Sequence, residues 1–168
     1  ADFLKHAGHQ IVTTREPGGS AGAETIRTLL VEGDPGRWDG VTETLLLAAA
    51  RRDHVERLIR PSLERGEWVI CDRFVDSTVA YQGYGAGVDL NLISTLAGAA
   101  ADDVHPDLTI ILDLPVDAGL ARAAHRAGGE DRFERKGTDF HFRLREGFLA
   151  IAKAEPNRCV IISAARPV

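Results

Sequence analysis

The stretch Trp68-Val69-Ile70-Cys71-Asp72-Arg73-Phe74-Val75-Asp76-Ser77-Thr78-Val79-Ala80-Tyr81-Gln82-Gly83 decides the fold. Its first four residues are apolar and strand-like. An acid, a base, two hydroxyls, a phenol and an amide follow within a few positions. In an open parallel α/β sheet, ligands bind just beyond the carboxyl ends of the strands. Asp72 offers an oxygen ligand to Mg²⁺ or to a metal-bound water, and Arg73 offers a bidentate fork to a phosphate. An Asp–Arg surface pair in a strand-to-helix loop would use the same two residues. Thr78 and Gln82 stand at i and i+4, on one helix face, although a threonine there would also suit a helix cap.

Working outward, three more short runs rich in Val, Ile and Leu occupy 10–14, 108–112 and 159–163. None alternates cleanly, the pattern of strands buried on both faces in a parallel sheet. Helical spacing of apolar residues predicts helices over 23–31, 42–63, 90–101, 116–127 and 139–154, with Gly66 stopping the second. Alternating strands and helices predict an α/β fold, a parallel sheet covered by helices on both faces. The segment 32–37 reads as a turn. The segment 127–137 sets glycines around a dense block of mixed charge, which suits either a solvated loop or a mobile lid bringing arginines to a reacting phosphate.

Composition narrows the function. A chain of 168 residues is one domain's worth. Its net charge of −5 argues against a general nucleic-acid coat, which needs a basic stripe. No apolar run reaches the ~18 residues of a membrane span. Cys71 and Cys159 have neither metal-ligand nor disulfide spacing and read as reduced thiols of a cytoplasmic protein. The scattered histidines form no zinc pair.

A second run, Thr13-Thr14-Arg15-Glu16-Pro17-Gly18-Gly19, also leaves the end of an apolar strand. The proline stiffens the turn and the glycines let backbone approach a ligand. Arg15 and Glu16 are therefore expected at the same sheet edge as Asp72 and Arg73. Of Arg51 and Arg52, about 100° apart on a helix, one should face inward. Arg27 follows the glycine turn. Arginines converging on one cleft of an acidic protein call for an anion, and phosphate is the natural candidate.

The TREPGG run, Ala49-Ala50-Arg51, the DRF with its following STVAYQG, and the DRFE of Asp131 to Glu134 together resemble the bacterial thymidylate kinases, in order and spacing over nearly the whole chain. The resemblance implies a three-layer P-loop NTPase-like fold, a single nucleoside monophosphate kinase domain over 1–168 with a lid at 128–137. It implies transfer of the γ-phosphoryl group of ATP to dTMP with Mg²⁺, in a cytoplasmic homodimer. By match, Arg73 and Arg51 hold the dTMP phosphate, and Glu16 and Asp72 organise Mg²⁺ and its waters. Arg15 and Arg27 lie along the acceptor. Thr78 and Gln82 face the thymine edge and sugar, Tyr81 packs the deoxyribose and Ser77 adds a hydroxyl. Arg132 stabilises charge on the transferred group, assisted by Arg135 or Arg126. Phosphoryl transfer needs positioning and positive charge more than covalent chemistry, which fits this set.

Two departures from the family pattern stand out. The phosphate-binding loop GxxxxGK[ST] is not in the sequence; because Ala1 opens inside a helical pattern, that loop and its strand are expected upstream, and a closing helix beyond Val168. Leu47 stands where the family usually has a phenylalanine stacked on thymine, which should weaken base binding by roughly 1 kcal/mol. Competing readings are a kinase for another pyrimidine nucleotide, a non-catalytic nucleotide-binding module, and a flavodoxin-like domain, which shares the layers but has no use for the arginines.

Overall fold

The structure, a computed structural model, describes residues 1–124, 132–133 and 135–165. A short helix α1 (Asp2–His6) leads into β1 (Ile11–Arg15), and α2 (Ala21–Val31) follows the glycine turn. Then α3 (Gly40–His54) runs on through a widened π-helical segment, Val55–Ile59, into α4 (Arg60–Glu64). Asp39 starts it, its carboxylate accepting from the Thr42 backbone N–H at 2.8 Å. Next come β2 (Trp68–Asp72) and α5 (Val75–Thr78), which continues as a second π-helical segment over Val79–Gly85. The remainder is α6 (Leu90–Ala101), β3 (Thr109–Asp113), α7 (Val116–Ala124), α8 (Thr138–Ala154) and β4 (Cys159–Ser163). The predicted helices and strands are all present, with ends shifted by a few residues at most; the last residues of the predicted helix 116–127 lie outside the described part.

The strands are all parallel, but they form two pairs rather than one continuous sheet. β1 pairs with β2, from Ile11 opposite Trp68 to Arg15 opposite Asp72. β3 pairs with β4, from Thr109 opposite Cys159 to Asp113 opposite Ser163. Burial alternates along β3 of the second pair. Ile111 is buried against Phe140, Leu144, Ile151 and Cys159, whereas its neighbours Ile110 and Leu112 point the other way and are more than half exposed. Alternation along a strand sends successive side chains to opposite faces, and among the described residues only one face of this pair is covered, by α8.

Among the described residues, an ion-pair cluster and a helix packing join the pairs. The Asp76 carboxylate, at the start of α5, takes bidentate bonds of 2.7 Å from Arg158 beside β4 and one of 2.9 Å from Thr109 at the start of β3. In addition, α8 packs along the π-helical segment, with Tyr81 meeting Phe140 and Phe148 edge-on. The carboxyl ends of β1 and β2 thus lie beside α5, with α3 across from them. Between these elements opens the cleft.

Candidate active site

The cleft is open to solvent and encloses a cavity of about 170 Å³. Its floor comes from the loop after β1 and its walls from α3 and α5. Arg51 faces inward and is only 3% exposed, while Arg52 pairs with Glu56 on the surface. The inward choice has a clear cause. Glu16, fixed at the end of β1 by its backbone N–H to the Asp72 carbonyl, presents Oε2 to Arg51 Nε at 2.8 Å. Arg51 Nη2 donates to Thr78 Oγ1 at 3.0 Å, and its guanidinium lies over the Phe74 ring. The pair is held from behind. Glu16 Oε1 accepts from His54 Nδ1 at 3.1 Å, and His54 Nε2 accepts the Thr14 hydroxyl at 2.8 Å. One neutral tautomer, protonated on Nδ1, satisfies both contacts.

Arg73 lines the same cleft, its guanidinium 4.8 Å over the Tyr81 ring. Its backbone sits at φ 69°, a left-handed conformation that disfavours a side chain and recurs where function fixes the geometry. Arg27 lines the cleft and donates from Nη1 to the Pro17 carbonyl at 2.8 Å. Leu47, Ser77, Thr78, Tyr81 and Gln82 complete the wall of the cleft. Arg15, Asp72, Arg132 and Arg135 are the described site candidates placed elsewhere.

Arg15 leaves the cleft to pair with Glu24 on the surface at 3.1 Å. Asp72 is exposed at the end of β2, and among the described residues its carboxylate has no hydrogen-bond or ion-pair partner. It is therefore the open oxygen donor at this edge, since both Glu16 oxygens already accept from Arg51 and His54. Such an exposed carboxylate suits Mg²⁺, which takes one or two protein carboxylates and completes its shell with water and phosphate. Among the described residues no three His, Cys, Asp or Glu side chains form a closed metal cage.

Arg132 does not line the cleft. It is fully buried and donates to the carbonyls of Leu30, Asp34 and Pro35 while pairing with Glu43 at 2.7 Å. The reason is local: the carboxyl end of α2 presents unpaired carbonyls that attract a cation. Arg135 donates to the Gly33 carbonyl at 2.8 Å nearby. Arg126 and residues 128–131 and 134 of the predicted lid lie outside the described residues. Asp113, at the end of β3, takes a bidentate pair from Arg145 at 2.7 and 2.9 Å, which holds its carboxyl below the usual range. Burial, with the charges of Glu16 and Asp72 behind it, pushes the Cys71 thiol up, so it is no nucleophile.

Four residues of the site were not singled out from sequence. His54 and Glu43 are fully buried, and Phe133 and His141 line the cleft. The helix period carried two of them. Glu43, Leu47 and Arg51 follow one another at i+4 and His54 at i+3, one continuous stripe. Phe133 carried no such signal, since a loop has no period.

The sequence profile of the thymidylate kinase family matches residues 1–168. A thymidylate kinase of Caulobacter vibrioides is 58% identical over 164 residues, covering 98% of this chain and 78% of that protein. One of Dinoroseobacter shibae is 52% identical over 167 residues, covering 99% and 80%. The crystal structure of thymidylate kinase from Ehrlichia chaffeensis superposes with a TM-score of 0.76 at 39% identity, over 96% of this chain and 79% of that one. With a cleft of buried, carboxylate-held arginine at the carboxyl edge of a parallel strand pair, and with these matches along its whole length, the chain belongs to the thymidylate kinase family.

Proposed function

We propose that this chain transfers the γ-phosphoryl group of ATP to dTMP, giving ADP and dTDP. The observation that carries the reading is Arg51, buried yet fixed by Glu16 and Thr78 so that its Nη1 end remains for an anion in the cleft. Arg51 and Arg73 grip the acceptor phosphate, a job for planar forks. Held in place, the phosphate presents one oxygen to the donor, and positioning of this kind supplies much of the rate in phosphoryl transfer. Arg27 lies along the acceptor, Tyr81 and Ser77 flank the sugar, and Thr78 and Gln82 meet the base. Leu47 gives the base an apolar wall, and Phe133 brings an aromatic ring to the same cleft.

Asp72 is the residue that would hold Mg²⁺, which shields the phosphate charges from one another when bound. Glu16 acts on the acceptor side by orienting Arg51. Arg132 anchors its segment to α2 and Glu43 in this conformation; reaching a transferring phosphoryl group requires release of that anchor. The enzyme is read as a cytoplasmic homodimer that uses no nucleic acid and no membrane. Exposed Val41, Leu45 and Leu63 on the α3–α4 helix offer it an apolar contact face, and among the described residues no helix is long and apolar enough to cross a membrane.

The test is ADP formation by the intact polypeptide with ATP and Mg²⁺ against dTMP, dUMP, UMP, dCMP and CMP. Rapid turnover of dTMP with stoichiometric dTDP supports the proposal. ADP formation that does not depend on any monophosphate, or no turnover at all, contradicts it and favours a nucleotide-binding module.

A further inference from the structure

Gln82 is 1% exposed, and its Oε1 is the buried polar side-chain atom that has no hydrogen-bond partner among the described residues. Its Nε2 donates to Glu43 Oε2 at 3.1 Å. Glu43 is fully buried and also takes Arg132 at 2.7 Å and Lys136 at 3.2 Å. An ionised carboxylate can only accept hydrogen bonds, so Glu43 dictates which end of the Gln82 amide faces it. The amide nitrogen turns to Glu43, and the carbonyl oxygen of this cleft-lining side chain is left without a donor. A buried carbonyl without a donor is unfavourable, and a ligand N–H relieves it.

We infer that Glu43 is a specificity-determining positioning residue: by fixing the polarity of the Gln82 amide, it makes the site select a base with an N–H at pyrimidine position 3. The inference rests on the dTMP reading of the cleft. Thymine carries that N–H. Cytosine carries a bare acceptor nitrogen there, which faces the Gln82 oxygen lone pair to lone pair. Arg132 and Lys136 balance the charge on Glu43 from the segment after α7, so the contacts that hold this segment also hold the base-reading amide.

The experiment compares kcat/KM for dTMP and for 5-methyl-dCMP, which keeps thymine's outline and methyl group but reverses the polarity at positions 3 and 4. The intact polypeptide is assayed as wild type, Glu43→Gln, Gln82→Leu and the double variant. A ratio of kcat/KM values does not depend on the fraction of folded enzyme. In Glu43→Gln, the new amide keeps an oxygen for Arg132 and Lys136 and turns its nitrogen toward Gln82, which inverts the Gln82 amide. The dTMP preference then falls by about tenfold or more. Glu43→Gln in the Gln82→Leu background changes the preference no further, because the effect passes through Gln82. An unchanged preference in Glu43→Gln, or an effect of equal size without Gln82, overturns the inference while leaving the kinase reading intact. A wild type inactive on dTMP overturns both.

Discussion

Arg51 can hold an anion firmly because Glu16 holds Arg51. A guanidinium that is 3% exposed has its buried charge offset by a carboxylate at 2.8 Å, and removing that partner leaves the charge uncompensated. Glu16→Gln should therefore raise KM for dTMP about tenfold and lower kcat less, measured by steady-state kinetics, because the fork loses its fixed orientation while its charge remains. His54 supports Glu16 from the far side. His54→Leu leaves Glu16 Oε1 and the Thr14 hydroxyl without a partner and should lower unfolding free energy by about 1–3 kcal/mol in urea titration. His54→Asn, which keeps a donor toward Glu16, should recover part of that loss. At this scale the motifs gave the identities of Arg51, Arg73, Thr78 and Gln82, and their places in the cleft follow from strand ends and helix period. The direction of Arg132 was not legible. A loop side chain goes wherever complementary groups lie, and the complement here, the carbonyls at the end of α2, is about a hundred residues away in sequence.

Among the elements, the helices were the most legible, because an apolar stripe at 3.6-residue spacing leaves little choice. The continuous helix predicted over 42–63 is observed, but its π-helical step over Val55–Ile59 had no sequence sign, nor did the one over Val79–Gly85. Such steps answer to tertiary packing. The packing of α8 on the second π-helical segment depends on Gly147, where a Cβ would stand 2.8 Å from both Cβ and Cγ of Tyr84. Gly147→Ala should therefore destabilise by about 1–3 kcal/mol in chemical denaturation despite its better helix propensity. Gly19 plays the matching role in the glycine turn: at φ 86°, with a Cβ only 2.4 Å from His54 Nε2 and Thr14 Oγ1, it allows the turn to close over the histidine. Gly19→Ala should displace His54 and raise KM for dTMP, with a smaller effect on kcat.

For the whole molecule, the four strands and their parallel direction were read correctly, and their separation into two pairs is seen only in the structure. Strand sequences carry little information about which neighbour they pair with, and the exposed Ile110 and Leu112 look like any buried pair on paper. Ion pairs tie the parts together. Asp76 to Arg158 joins α5 to the second strand pair, and Asp113 to Arg145 ties β3 to α8. Asp113 has a depressed carboxyl pKa, caused first by the hydrogen bonds from Arg145. Its contribution is therefore present above the ordinary carboxylate pKa of about 3.9 and is lost as pH falls through the folded value. Asp113→Asn should cost at most about 1 kcal/mol at pH 7, because the pair is partly exposed, and the difference from wild type should close below about pH 4 in acid titration of stability. The central claim remains that the cleft is an acceptor-phosphate site built on Arg51. Calorimetric titration of the intact polypeptide with dTMP and with thymidine, for wild type and Arg51→Met, tests it most directly. The account predicts that wild type prefers dTMP over thymidine by about a hundredfold or more and that Arg51→Met loses most of that preference. Equal affinity of wild type for the two ligands, or a preference unaltered in Arg51→Met, would contradict it.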